Sequence, residues 1–242
     1  MSVVAVVLAA GRGTRMRSEL PKPLVRLAGR PIVVRLVDAI VAAGIDDIVV
    51  VVGYGADQVR AALPQGVRTV LQTVRDGTAG AVDCARQAAA DADEVLVFVG
   101  DSPLVSATSI RRLVRERRRR GVPAAFLTAT FPSPLPYARV IRSVDGSVAD
   151  CIEERDCTPE QVAVREYMTS HYAFSGSALW PALSRVAPHP ETGERYLTHV
   201  LGLLIADGGR VETVAAERWQ ELVGLNTPEE VAWAEGELRG LR

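Results

Sequence analysis

Three short runs constrain the fold most. Residues 3–8, 47–52 and 95–99 are almost wholly apolar and rich in valine, and each runs into a glycine-bearing loop. Runs this short and this apolar match strands buried on both faces, where no alternation with polar residues is needed. Between them lie segments of helical spacing at 32–43, 57–62, 79–90 and 109–119, with a further strand at 68–72. Such alternation predicts βαβ units and a mainly parallel sheet covered by helices on both faces.

The second half reads differently. Strands are expected at 124–131, 139–143, 147–153, 165–174 and 210–215, and a helix at 197–206 that stops at Asp207-Gly208-Gly209. Asp145-Gly146 between two strand segments suits a type I′ hairpin turn. Thr227-Pro228-Glu229-Glu230 opens a final helix, with a threonine cap, proline at the first helical position and glutamate three residues after the cap. No linker, repeat or low-complexity tract interrupts the 242 residues, so one domain over 1–242 is expected. The arginine-rich run at 115–120 is expected to be the solvated end of a helix, its charge complementing the helix dipole.

Composition excludes several function classes. Lys+Arg 28 against Asp+Glu 29 leaves a net charge of −1, with no broad basic face for nucleic acid. The apolar runs are far too short to span a membrane, and the N-terminus lacks the charged start of a signal peptide. Cys84, Cys151 and Cys157 are odd in number and lack CxxC spacing, which points to a reducing compartment. His171, His189 and His199 do not pair at zinc-ligand spacing. A cytoplasmic protein with neither nucleic-acid nor membrane partners is expected, as a monomer or small homo-oligomer.

Of the 28 basic residues, a single one, Lys22, is lysine. Either it is a chance survivor of a coding bias, or a compact point charge is needed there that arginine's planar fork cannot replace. Its setting is informative. Leu8-Ala9-Ala10-Gly11-Arg12-Gly13-Thr14-Arg15-Met16 follows the first strand, and glycines there can present backbone N–H groups to an anion. A dinucleotide-binding loop would carry a third glycine where Met16 stands, and a P-loop would end in Gly-Lys-Ser/Thr. Instead, Arg15 is followed by Pro21-Lys22-Pro23, two prolines restricting the chain around the lysine. A glycine loop, an arginine and a clamped lysine make a polyphosphate cradle.

The segment LAAGRGTRMRSELPKPLVRLAGRPI resembles the N-terminal motif of the sugar-phosphate nucleotidyltransferases, also called nucleoside-diphosphate-sugar pyrophosphorylases. The resemblance continues through LQTVRDGTAGAV, FVGDSPLV, YARVIR, IEERD, YLT and GLNTPEE. It is strongest to the uridylyltransferase domain of the bifunctional N-acetylglucosamine-1-phosphate branch. Those proteins carry a further β-helix acyltransferase domain; with the sequence ending at residue 242, no acyltransferase activity is expected. The resemblance implies an α/β, Rossmann-like three-layer fold with a mainly parallel mixed sheet. It also implies a nucleotide-binding half at 1–122 and a small β-rich sugar-binding half at 123–242.

It further implies a site. Arg15, Lys22 and Asp101 would be catalytic. Leu8, Ala9 and Ala10 would cover the base through their main chain, and Gln72, Gly77 and Thr78 would read it, with uracil favoured. Gly11, Gly13 and Thr14 would line the phosphates, and Gly100 would precede the metal-binding Asp101. Asp101 and Asn226 would hold Mg²⁺, a hard cation that keeps waters and takes phosphate oxygens. On the sugar side, Tyr137 and Arg139 match a Gly-Tyr-Gly-Arg segment in which Ala138 replaces the second glycine. Glu153 and Thr198 match sugar-side residues. Met168-Thr169-Ser170 stands where the family has Asn-Thr-Gly. Losing an amide removes a donor and an acceptor, so a plain hexose, deoxy-sugar or cyclitol phosphate is expected in place of a 2-acetamido sugar.

The implied activity is transfer of a nucleotidyl group from a nucleoside triphosphate to a sugar-1-phosphate, with pyrophosphate released. Cytidylyl, guanylyl or thymidylyl transfer to another phosphate acceptor stays open. A non-catalytic nucleotide-sugar binding protein would be expected to lose Lys22, Arg15 or Asp101, and all three are present.

Overall fold

The computed structural model describes residues 1–240; the last two positions of the expected domain lie outside the described residues. Along the chain run β1 (Val3–Ala9), β2 (Arg26–Leu27), β3 (Arg30–Pro31), α1 (Ile32–Ala42), β4 (Ile48–Val52), α2 (Ala56–Ala62) and β5 (Arg68–Leu71). Then come α3 (Thr78–Cys84), α4 (Arg86–Ala89), β6 (Glu94–Val99), α5 (Ala107–Arg120), β7 (Ala124–Thr130), β8 (Ala138–Arg142) and β9 (Val148–Ile152). The chain finishes with α6 (Pro159–Val162), β10 (Glu166–Ser175), α7 (Gly176–Leu183), α8 (Thr198–Ala206), β11 (Val211–Ala215) and α9 (Pro228–Gly240).

One sheet joins the two halves in the order β11-β7-β10-β6-β1-β4-β5, with β8 and β9 branching from β10. β6, β1, β4 and β5 are parallel, and β10 enters antiparallel between β6 and β7. The apolar runs behave as strands buried on both faces. In β1, Val4 and Val6 face one core while Ala5, Val7 and Ala9 face the other. Each core is closed by helices: α1 and α5 on one side, α3, α7 and α8 on the other. This is a three-layer α/β, Rossmann-like arrangement. No described helix is long and apolar enough to cross a membrane.

Local differences from the sequence reading have physical causes. The 79–90 helix is split at Ala85, whose N–H bonds back to Val82 in a tighter turn. The 143–147 connection is not a type I′ turn, because Asp145 does not take the positive φ such a turn demands. Gly146 N–H donates to Ser143 O at 2.9 Å and Gly146 alone has φ 82°, giving a three-residue loop closed by a glycine bulge. Within the arginine run, Arg117 is buried rather than solvated. It and Arg118 pair with Glu94, whose side chain is fully buried at the start of β6. Helix α7 escapes sequence reading because Pro181 sits inside it.

Candidate active site

The carboxyl ends of β1, β4 and β6 form the edge on which ligands sit in open parallel sheets. At the end of β6 the chain must pass close to β1. Gly100 N–H donates to Leu8 O at 2.9 Å, and a Cβ at Gly100 would lie 2.8 Å from that oxygen. The turn that follows brings Asp101 to the edge. Leu225 N–H donates to Asp101 O at 2.8 Å, tying the loop before α9 to the same point. The capping box then orients Asn226. Glu230 accepts from the backbone N–H of Asn226 and Thr227, and Thr227 Oγ1 accepts from Glu230 N–H.

Lys22 completes the cluster. Pro21 starts the 3₁₀ turn Lys22–Leu24, and two glycines make room for it. A Cβ on Gly13, which has φ 69°, would lie 2.4 Å from Lys22 Cβ, and one on Gly55 would lie 2.2 Å from Pro21 Cγ. The ammonium donates to Asp101 Oδ2 at 2.5 Å and to Asn226 Oδ1 at 2.7 Å. Arg15 Nη2 donates to the same Asn226 Oδ1 at 2.9 Å. Met16, which stands where a third glycine would be, is a buried plug in the core. Four residues from three distant parts of the chain thus meet, two basic groups around two oxygens.

A cavity of about 320 Å³ opens on one side of this cluster. Leu8, Ala9, Ala10, Gly11, Lys22, Gln72, Gly77, Thr78, Gly100 and Asp101 all line it. Gly13 and Thr14 do not: Gly13 backs Lys22, and Thr14 begins an exposed 3₁₀ turn. Thr78 Oγ1 is engaged in accepting the Leu197 N–H at 2.9 Å. Arg75, Glu194 and Tyr196 also line the cavity. Sequence reasoning missed all three, because 194–196 reaches the site only through the fold.

A second cavity of about 330 Å³ lies on the other side and shares Val99 and Asp101 with the first. Arg15, Tyr137, Ala138, Glu153, Met168, Ser170 and Asn226 line it. Ala138 and Met168 are register partners on β8 and β10, both almost completely buried, and they make an apolar wall. Burial raises the Glu153 carboxyl above its ordinary range, partly offset by the 2.9 Å hydrogen bond donated by Thr198 Oγ1. Thr198 itself is buried at the start of α8 and meets the cavity through Glu153. Burial pushes Tyr137 up to about 12, so its hydroxyl stays neutral and accepts the Gly224 N–H at 3.0 Å. Arg139 does not line the cavity. It lies fully buried over the Tyr167 ring and braces the Leu135 and Tyr137 carbonyls.

Ser102 and Thr169 also line the second cavity. Ser102 carried no signal in the sequence, whereas Thr169 stands in the Met168-Thr169-Ser170 run already matched to the family. Thr169 Oγ1 lies 3.2 Å from Nδ1 of His171, a fully buried ring whose pKa burial lowers to about 4.

Comparison with known proteins places the chain in a family. Residues 5–202 match the MobA-like NTP transferase domain family. The bifunctional protein GlmU of Pelotomaculum thermopropionicum is 40% identical over 240 residues, covering 99% of this chain and 52% of that protein. GlmU of Syntrophomonas wolfei is 36% identical, covering 99% of this chain and 54% of that protein. The chain therefore spans about half the length of the curated relatives it matches. A solved nucleotidyl transferase from Methanothermobacter thermautotroptrophicus shares the fold, with a TM-score of 0.69 and 23% identity over 100% of this chain and 99% of that one. The chain is a nucleotidyltransferase that belongs to the MobA-like NTP transferase domain family.

Proposed function

We propose that the chain transfers a nucleotidyl group, uridylyl favoured, from a nucleoside triphosphate to a sugar-1-phosphate, forming an NDP-sugar and releasing pyrophosphate. The observation that carries this reading is the pair of cavities meeting at Asp101, with Lys22, Arg15 and Asn226 gathered at their junction. A two-substrate transfer needs both reactants held with the reacting atoms at one boundary. In the reaction, an acceptor phosphate oxygen bonds to the α-phosphorus and the bond to the bridging α–β oxygen breaks. The nucleophile is already an anion at neutral pH, so no general base is required. The catalytic work is positioning and charge neutralisation.

In this reading the triphosphate occupies the first cavity, with Gln72 against the base edge and the Gly11 loop at the phosphates. Lys22 lies where α-phosphate and incoming phosphate meet. Arg15 reaches the same junction from the acceptor side and is assigned to phosphate charge there. Asp101 Oδ2 and Asn226 Oδ1 fit a divalent cation, Mg²⁺ favoured, because both already converge on one cation, the Lys22 ammonium. One carboxylate and one amide oxygen suit an ion that keeps waters and phosphate ligands, and among the described residues no cluster of three or more His, Cys, Asp or Glu offers a closed cage. When bound, the ion supplies further neutralisation of phosphate charge.

The acceptor cavity supports the finer reading. Met168 and Ala138 present a wall without donors or acceptors, and Ser170 projects a side chain from a left-handed backbone of φ 61°. An N-acetyl group placed against that wall would leave its amide unpaired. Glu153 remains to hold hydroxyls. The test is pyrophosphate release with UTP, CTP, dTTP and GTP against glucose-1-phosphate, cyclitol phosphates and N-acetylglucosamine-1-phosphate. UTP with a non-acetamido acceptor is expected to give the highest kcat/KM. Release with no pair would overturn the activity, and a tenfold preference for the acetamido sugar would overturn the acceptor assignment.

A further inference from the structure

Resting on the reading of the two cavities as triphosphate and acceptor sites, we propose that Arg195 is a positioning residue that couples them, through a clasp with Asp76. The segment 194–198 passes between the sites. On one side it is bonded to the loop that carries Gln72, Gly77 and Thr78. Arg195 N–H donates to Asp76 O at 2.6 Å, and its Nε and Nη2 donate to Asp76 Oδ2 at 2.9 and 2.6 Å. Ala79 N–H donates to Arg195 O at 2.9 Å, and Leu197 N–H to Thr78 Oγ1 at 2.9 Å. The fit leaves no space. Gly77 has φ 98°, and a Cβ there would lie 2.5 Å from Arg195 O.

On the other side, three residues along, Thr198 Oγ1 donates to Glu153 Oε1 in the acceptor cavity. Glu194 and Tyr196, the neighbours of Arg195, line the triphosphate cavity. The segment is therefore pinned at Arg195 to the base-reading loop and at Thr198 to the acceptor carboxylate. A nucleotide bound against the 72–78 loop bears through these bonds on Arg195, and through Thr198 on the placement of Glu153. Its contacts then favour the same placement of the segment that the acceptor uses. Coupling between two binding sites is reciprocal, so the acceptor tightens nucleotide binding by the same factor. A merely structural ion pair at this partly exposed position would alter stability slightly and leave the two sites independent.

The experiment measures the affinity of glucose-1-phosphate by calorimetry, with and without saturating α,β-methylene-UTP, whose transferring bond cannot break. In the wild type the analogue is expected to tighten acceptor binding by about tenfold, within the usual range of coupling. Arg195→Ala and Asp76→Ala should each cut that ratio to below about twofold, and the double variant should cut it little further, because Asp76 at 2.6 Å is the nearer of the two carboxylates that Arg195 meets, Asp83 lying at 3.8 Å. Arg195→Lys, which keeps the charge, should restore part of the ratio. Thermal melting of each variant reports its folding separately. A wild-type ratio near one, or a full ratio in a folded Arg195→Ala, would overturn the coupling and leave the activity standing. No binding of either probe by the wild type would overturn the functional reading and the coupling with it.

Discussion

Removing the only lysine should make the oxygens proposed to hold the metal easier to occupy while making the enzyme worse. In the free protein the Lys22 ammonium sits between Asp101 Oδ2 at 2.5 Å and Asn226 Oδ1 at 2.7 Å, so a divalent cation on those oxygens must first displace it. The pair is partly shielded, with side-chain exposures of 14% and 26%. An exposed ion pair contributes up to about 1 kcal/mol, and a hydrogen bond to a charged group about 1.5–3 kcal/mol. The contact to be broken therefore lies between about 1 and 3 kcal/mol, equivalent to about five- to 150-fold in affinity. Lys22→Ala abolishes that competition and also a positive charge beside the incoming ion. Nucleotide-free protein should then bind Mn²⁺ at least about fivefold more tightly, followed by loss of the free-ion signal in electron paramagnetic resonance. Turnover of the same variant should fall by about two orders of magnitude or more, because the charge at the reacting phosphates is lost. Adding Asp101→Asn should abolish the gain in Mn²⁺ affinity. Unchanged or weaker Mn²⁺ binding by a folded Lys22→Ala would refute the idea that the lysine occupies a cation site.

Lys22→Arg should be strongly impaired in pyrophosphate release although charge is kept, since a planar fork cannot replace the compact ammonium that bonds Asp101 Oδ2 and Asn226 Oδ1 together; near wild-type rates would make the single lysine a coding accident. Asp101→Asn and Asn226→Ala should each lower turnover by about two orders of magnitude, since metal stabilisation of phosphoryl charge is a several-kcal/mol effect, with folding retained by circular dichroism. His171 provides the pH prediction. Its folded pKa of about 4 lies below the ordinary 6.5, so the unfolded chain takes up the proton first and stability falls as pH drops from 6.5 towards 4. Its contribution to that loss is up to about 3 kcal/mol, and urea melts of His171→Asn should show a shallower slope across that window; an equal slope would assign the acid sensitivity elsewhere.

Much of the fold was legible where its signals are local. The 3–8, 47–52 and 95–99 runs carry their own strand pattern, and Thr227-Pro228 carries its own helix start; the structure has each of these elements. Of the cradle only part was legible, because Arg15 lines the second cavity and Gly13 and Thr14 line neither. Gly11, Lys22 with its flanking prolines, and Asp101 after an apolar run announce themselves by residue type and position, and the structure brings them to one cavity. The hairpin at 143–147 was misread because Asp-Gly suits more than one turn, and the φ of Asp145 depends on how β8 and β9 pair. The arginine run ends α5 with most of its residues exposed, as expected, and only Arg117 departs, because its burial depends on Glu94, which lies 23 positions earlier.

Local pattern alone therefore determined the layered α/β class, and it singled out the strand edge and the basic loop proposed to receive ligands. These follow from side-chain shape, backbone restriction and periodicity, which act over a few residues. Tertiary structure decided what required distant atoms to meet. It placed Asn226 on Lys22 across 204 positions, set Met168 opposite Ala138 in an apolar wall, and closed Arg195 onto Asp76 across 119 positions. No sequence window holds both partners of such contacts. Their geometry arises when β10 enters antiparallel beside β6 and carries the second half of the chain to the edge where Asp101 stands.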